Sequence, residues 1–143
     1  YGTYDSGSGT GSGSGYTTPC IHSGTIANID TNTVWYNYAL ASAGTITGTS
    51  NTTTATQSIC PKGWTLPSSD QIDSQRDITS FSPVLGGYYS NGALGGESTH
   101  GCWWGSTAYS GAKRYSLYYN NSSLHTGSSS RYIGFYVRCI QAP

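Results

Sequence analysis

The chain has 143 residues, 35% of them apolar and 8% charged, and its six Lys and Arg balance six Asp and Glu to a net charge of zero. That length suits one domain with one core, and the missing basic surplus argues against nucleic acid or anionic lipid as a partner. No apolar run approaches the ~18 residues a membrane-spanning helix needs, so no direct membrane insertion is expected.

Four cysteines without a CxxC motif or zinc-finger spacing read as two disulfides in an oxidising compartment, with three pairings open. The sequence has no methionine and no signal-peptide pattern. A mature or excised extracellular piece is therefore expected, attached to the cell surface through a region or partner outside this chain.

Residues 1–15, rich in Gly and Ser, have the composition of a flexible stalk or linker, and residues 16–143 form the expected domain. From Tyr16 to Ile59, β-prone runs such as Val34-Trp35-Tyr36-Asn37-Tyr38 alternate with turn residues, and the Thr/Ser-rich stretch 44–57 favours strand or irregular structure. After Trp64, Ser68 or Ser69 is predicted to cap a short helix whose first turn carries Asp70 and Asp73, with Ile72 and Ile78 facing inward. Beyond Pro83 the β character returns at 85–89, Trp103-Trp104, 114–119 and 132–140, separated by Gly- and Ser-rich turns. The fold class expected is α+β, dominated by antiparallel strands and long loops, with one or two short helices.

Four runs occur in a telling order: Val34 to Tyr38, Cys60-Pro61-Lys62-Gly63-Trp64-Thr65-Leu66-Pro67, Trp103-Trp104-Gly105-Ser106-Thr107, and Gly134-Phe135-Tyr136-Val137-Arg138-Cys139. Together they resemble the Fibrobacter succinogenes major paralogous domain, over most of residues 32–140. The resemblance implies a C-type-lectin-like fold related to formylglycine-generating enzyme domains and to retroelement-diversified variable proteins, found on bacterial surfaces. It further implies a Cys60–Cys139 disulfide, which leaves Cys20 to pair with Cys102. This second pair departs from the commoner pattern, in which an aromatic residue precedes the paired tryptophans.

Each remaining cysteine has a histidine two positions away, in Cys20-Ile21-His22 and His100-Gly101-Cys102, so a Cys2His2 metal site is conceivable if both segments are strands. The oxidising compartment and the spacing favour the disulfide, and no metal or cofactor is expected. The Glu-Pro-Asn, Gln-Pro-Asp and Trp-Asn-Asp motifs of calcium-dependent sugar binders do not occur, and three of the six acids (Asp70, Asp73 and Asp77) lie on or beside the predicted helix. Catalysis is not expected either: the histidines have no local carboxylate partner, and His125 reads as a surface hydrogen-bonding residue.

Between Gly105 and Gly134, 19 residues are Tyr, Ser, Gly or Asn. Binding loops favour that alphabet because tyrosine gives amphipathic contact area at low entropy cost and the small polar residues adapt their hydrogen bonds. Alternation along 114–120 sets Tyr115, Leu117 and Tyr119 against Ser116, Tyr118 and Asn120, and the leucine face is assigned to the core. Tyr109, Ser116, Tyr118, Asn120, Ser122, His125, Ser128, Ser130 and Tyr132 are then expected to share an outward ligand-binding surface. Trp103 and Trp104 point to opposite faces and are both assigned to the core. The expected function is recognition of a host or partner-cell surface protein or glycan; the alternative is a self-associating subunit of a filament or pilus.

Overall fold

The computed structural model describes residues 14–25, 32–48, 50–74, 83–120 and 122–142. Ile78 and Asp77, and all but the last two residues of the expected stalk, lie outside these. Among the described residues the fold is α+β and mostly strand, with three short helices and three small sheets.

Helix α1 (Ser14–Thr17) leads into strand β1 (Ile21–Thr25), which pairs antiparallel with β2 (Asn32–Tyr36). The run expected as strand through Tyr38 stops at Asn37, because Asn37 caps helix α2 (Tyr38–Ala41). Its buried amide does several jobs at once: Oδ1 accepts from Leu40 N at 3.1 Å and from Cys20 N at 2.9 Å, and Nδ2 donates to Thr18 O at 2.8 Å. One side chain thus starts α2 and fastens the α1–β1 junction to it.

Strand β3 (Trp64–Thr65) precedes helix α3 (Ser69–Ser74), the helix expected from the sequence. Ser68 Oγ accepts from Gln71 N at 3.2 Å while Gln71 Oε1 accepts from Ser68 N at 2.8 Å, a reciprocal capping box. Asp70 lies in the first turn, and Ile72 is fully buried.

The main sheet has the order β5-β4-β6-β7-β8, with β4 Gly86–Ser90, β5 Ala93–Glu97, β6 Gly101–Ala108, β7 Lys113–Tyr119 and β8 Leu124–Ser130. All pairings are antiparallel except the parallel β4–β6 contact at Gly87 and Gly101. Gly87 has φ +68°, and a Cβ there would meet Gly95 O at 2.2 Å, so this crossing requires glycine. Strand β8 was not expected, since Leu-His-Thr-Gly-Ser-Ser-Ser has little strand propensity. Seven successive register pairs with β7 override that local preference.

Both faces of this sheet are covered. On one, Trp104 and Cys102 pack with Tyr38, Ala41, Leu66 and Phe135; on the other, Trp103, Leu117 and Leu124 pack under Ile72 of α3. The two tryptophans are buried on opposite faces, as the alternation requires. Leu117 is core as assigned, yet Ser116 on the other face is only 2% exposed, which corrects the division into one core face and one outward face.

The last segment locks the parts together. Phe135 exchanges backbone hydrogen bonds with Tyr36, Gly134 with Tyr89, and Tyr136 with both Cys102 and Trp104. The chain ends in β9 (Ile140–Gln141), paired with β3, beside the Cys60–Cys139 disulfide. Two disulfides were expected, and the described residues hold one. Cys20 and Cys102 are buried thiols in different surroundings: Cys20 Sγ donates to Thr18 O at 3.1 Å near Asn37, whereas Cys102 lies in the core beside Trp104 and Phe135. The expected Cys20–Cys102 bridge is not formed: Cys20 lies at the α1–β1 junction beside Asn37, and Cys102 lies on β6 against the Trp104 and Phe135 cluster.

Stretch 44–57 contains no strand among its described residues, and two buried arginines hold it. Arg114 Nη2 donates to Asn51 O at 2.9 Å and Thr53 O at 3.1 Å, while Nη1 donates to Ser110 O and Lys113 O at 3.1 and 3.2 Å. Its guanidinium lies 5.0 Å over the Tyr38 ring. Arg131 donates to Gly48 O and lies 5.5 Å over Tyr16.

Candidate functional site

A half-open cleft of about 380 Å³ lies on the Cys102 face of the main sheet. Tyr88 and Ser90 line it from β4, Cys102 from β6, Tyr118 from β7 and Ser129 from β8, with Ile133 and Phe135 from the closing segment. Cys102 and Tyr118 are register partners, so their side chains leave the sheet on the same side. His100 flanks the site, its ring 5.1 Å from Tyr118 and 6.5 Å from Tyr88, with Nδ1 2.8 Å from Thr99 Oγ1. Gly96 lets that imidazole in, since a Cβ there would stand 2.5 Å from His100 Nδ1.

No formal charge lines the cleft. Burial pushes the Cys102 thiol from 9.0 up to about 12, and Tyr118 is also raised, by burial first and then by its neighbours Cys102 and Tyr88. Both groups are therefore neutral at physiological pH. Among the described residues no group of three or more His, Cys, Asp or Glu is placed to hold a metal ion, and the His22 side chain of the conceivable Cys2His2 set lies outside them. Nor is any described helix long and apolar enough to cross a membrane.

The raised thiol gives a pH prediction. Below pH 9 native and unfolded chains both hold the Cys102 proton, and its contribution to stability is intact. Between 9 and 12 the unfolded chain releases the proton first, so stability falls. From pH 9 to 10 the loss is expected to be about 1 kcal/mol. Above 10 the signs mix: buried Tyr38, pushed up to about 12, continues the decline, while Arg131, lowered to about 10 by burial and then by Arg114, opposes it. Urea unfolding at pH 9 and pH 10 measures this, and Cys102→Ala should flatten the change.

The nine candidate ligand-binding residues do not form one surface. Only Tyr118 lines the cleft. His125 stands opposite Tyr118 in register, and its Nε2 lies 2.6 Å from Ser123 Oγ. Asn120 Oδ1 accepts from Ser122 Oγ at 3.1 Å and from Ser123 Oγ at 3.4 Å, so Asn120, Ser122 and His125 gather at the β7–β8 turn. Ser116 is buried, its Oγ 3.3 Å from Ser129 Oγ. Ser128 and Ser130 pair with Tyr115 and Lys113, on the opposite face from Tyr118. Tyr109 is 57% exposed and packs edge-on against Tyr115, whereas Tyr132 is buried against Tyr16.

Sequence reasoning missed Tyr88, Ser90, Cys102, Ser129, Ile133 and Phe135 as lining residues. The usable signal was alternation: Cys102 and Trp104 share one face of β6, with His100 two residues before Cys102, and Ser116 and Tyr118 share one face of β7. Joining them requires the β6–β7 register, which no local pattern supplies.

No family model, curated protein or solved structure matches this chain.

Proposed function

We propose that this chain is an extracellular binding domain of the C-type-lectin-like class, displayed on a bacterial surface, which recognises a cell-surface protein or glycan without chemistry of its own. The observation that carries this reading is the neutral, tyrosine-bordered cleft between β4 and the β6–β7–β8 strands. Aromatic rings beside hydroxyl groups, on a rigid sheet covered on both faces, suit recognition more than catalysis. The disulfide is consistent with an oxidising compartment. The motif order from Val34 to Cys139 supplies the resemblance to surface domains.

Purified protein should remain monomeric and capture partner cells, and Tyr118→Ala should abolish capture while leaving the chain folded. Capture unaffected by that change would remove the cleft from the mechanism. Tyr132→Ala serves a different purpose, because Tyr132 is buried and its loss acts through stability.

A filament subunit is the second reading, favoured by the exposed large apolar side chains Trp64, Val84 and Tyr109 on a chain of zero net charge. Ordered fibres of the purified chain in electron micrographs would replace the first reading with this one.

A further inference from the structure

The chemistry of the cleft narrows its ligand. Tyr88, Tyr118 and Phe135 supply aromatic surface, while Tyr88, Ser90 and Tyr118 bring hydroxyls that have no hydrogen-bond partner among the described residues. Ser129 Oγ is already shared with Ser116. A wholly apolar ligand would strand those hydroxyls away from water, at a cost of ~1–3 kcal/mol for each one buried. An anionic ligand would find no cation in the lining, and a cation would find no carboxylate. The volume lies toward the lower end of the ~300–1,000 Å³ range of small-molecule sites, which suits a ring and its substituents.

We propose that the cleft takes a neutral pyranose unit, with an apolar ring face against Tyr88 or Tyr118 and its hydroxyls bonded to the tyrosine and serine hydroxyls, without calcium. This rests on the reading of the chain as a binding domain and gives that reading a ligand class. A polysaccharide, a glycoprotein glycan and a free oligosaccharide share this chemistry. Cys102, at the cleft wall, stays a neutral thiol and contributes surface only.

The test is a titration of the intact chain with methyl glycosides of glucose, galactose, mannose and N-acetylglucosamine, and with their neutral oligosaccharides, followed by amide chemical shifts in EDTA. At least one glycoside should shift the Tyr88 and Tyr118 signals at saturating concentration. Tyr118→Ala should weaken that binding tenfold or more, on the scale of an interface anchor, and Tyr118→Phe, which keeps the ring, should weaken it less. Ser90→Trp, which fills the cleft from its half-buried wall, should abolish it while the amide spectrum away from the cleft stays native. Trp64→Ala, an exposed aromatic outside the lining, should leave it unchanged. Comparing glycosides with longer oligosaccharides and with glycoprotein before and after glycan removal separates the three sources.

Two results overturn the inference: no member of the panel shifts the cleft signals, or tetramethylammonium binds there in preference, as a cation–π cage would dictate. If sugars fail while cell capture persists and still depends on Tyr118, the ligand class is wrong and the binding-domain reading stands. If sugars fail and the intact chain captures no cells either, both fall.

Discussion

Replacing Cys60 and Cys139 with alanine is expected to lower the free energy of unfolding by about 4 kcal/mol. The cross-link joins residues 79 apart in sequence, so it removes a large loop-closure entropy from the unfolded chain. What it secures in the native state is otherwise weakly held. Strands β3 and β9 share two register pairs, supplemented by the 2.9 Å bond from Ala142 N to Gly63 O, and a ladder that short does not persist alone. Upstream of Cys139 lies the segment whose Gly134, Phe135 and Tyr136 bond to Tyr89, Tyr36, Cys102 and Trp104, so fraying of the C-terminal end propagates toward the core. Equilibrium urea unfolding of the wild type and the double variant measures the difference, and the reduced wild type should resemble the variant. A loss under about 1 kcal/mol would overturn the loop-closure account, because it would mean the unfolded chain is already constrained without the bridge.

Much of the scaffold was legible where a local pattern carries the physics. Ser68 and Gln71 are a capping pair three residues apart, and the helix starts where they place it. Trp103 and Trp104 must part to opposite faces of any strand, and they do. The errors arose where distant residues decide. Asn37 sits in a run of β-prone residues, but its amide has Cys20 N, Leu40 N and Thr18 O around it, and the strand ends there. Strand β8 exists because β7 offers it a ladder, and Ser116 is buried because the sheet is covered on both faces, an arrangement that alternation within β7 alone cannot distinguish from a half-exposed sheet. The cleft was least legible of all, since its walls come from four strands and the closing segment. Of its lining, only Tyr118 stood out by composition, and it did so among eight companions that the fold sends elsewhere.

Arg114→Met is expected to cost about 3 kcal/mol, within the range for breaking a buried hydrogen-bonded charge. Two effects oppose each other. Removing the guanidinium relieves the penalty of a fully buried charge, a penalty already visible in its lowered pKa, which burial drives down and Tyr38 partly restores. Against that, the backbone carbonyls of Asn51, Thr53, Ser110 and Lys113 each lose a charged donor; the last two keep backbone donors of their own turn, so the loss falls mainly on Asn51 and Thr53, and each bond to a charged group contributes ~1.5–3 kcal/mol. The second effect wins because the carbonyls of a packed loop rehydrate only by leaving the surface they cover. Lysine should not rescue the variant, since its single ammonium cannot span the two carbonyl pairs that the planar fork bridges. The damage should be local at first: the Asn51 and Ala55 amides, bonded to Gly111 O and Ser106 O, should exchange hydrogen faster in Arg114→Met, while the α3 face around Ile72 stays protected. Undiminished protection at Asn51 and Ala55 would sink the clamp. A second change, Arg131→Met, should add more than its separate cost, because the two buried guanidinium groups repel: with Arg114 gone, Arg131 is held free of that repulsion and its removal loses more. The Thr-rich stretch, uncharged and with no strand among its described residues, is therefore ordered by cations that reach it from β7 and from the residue following β8.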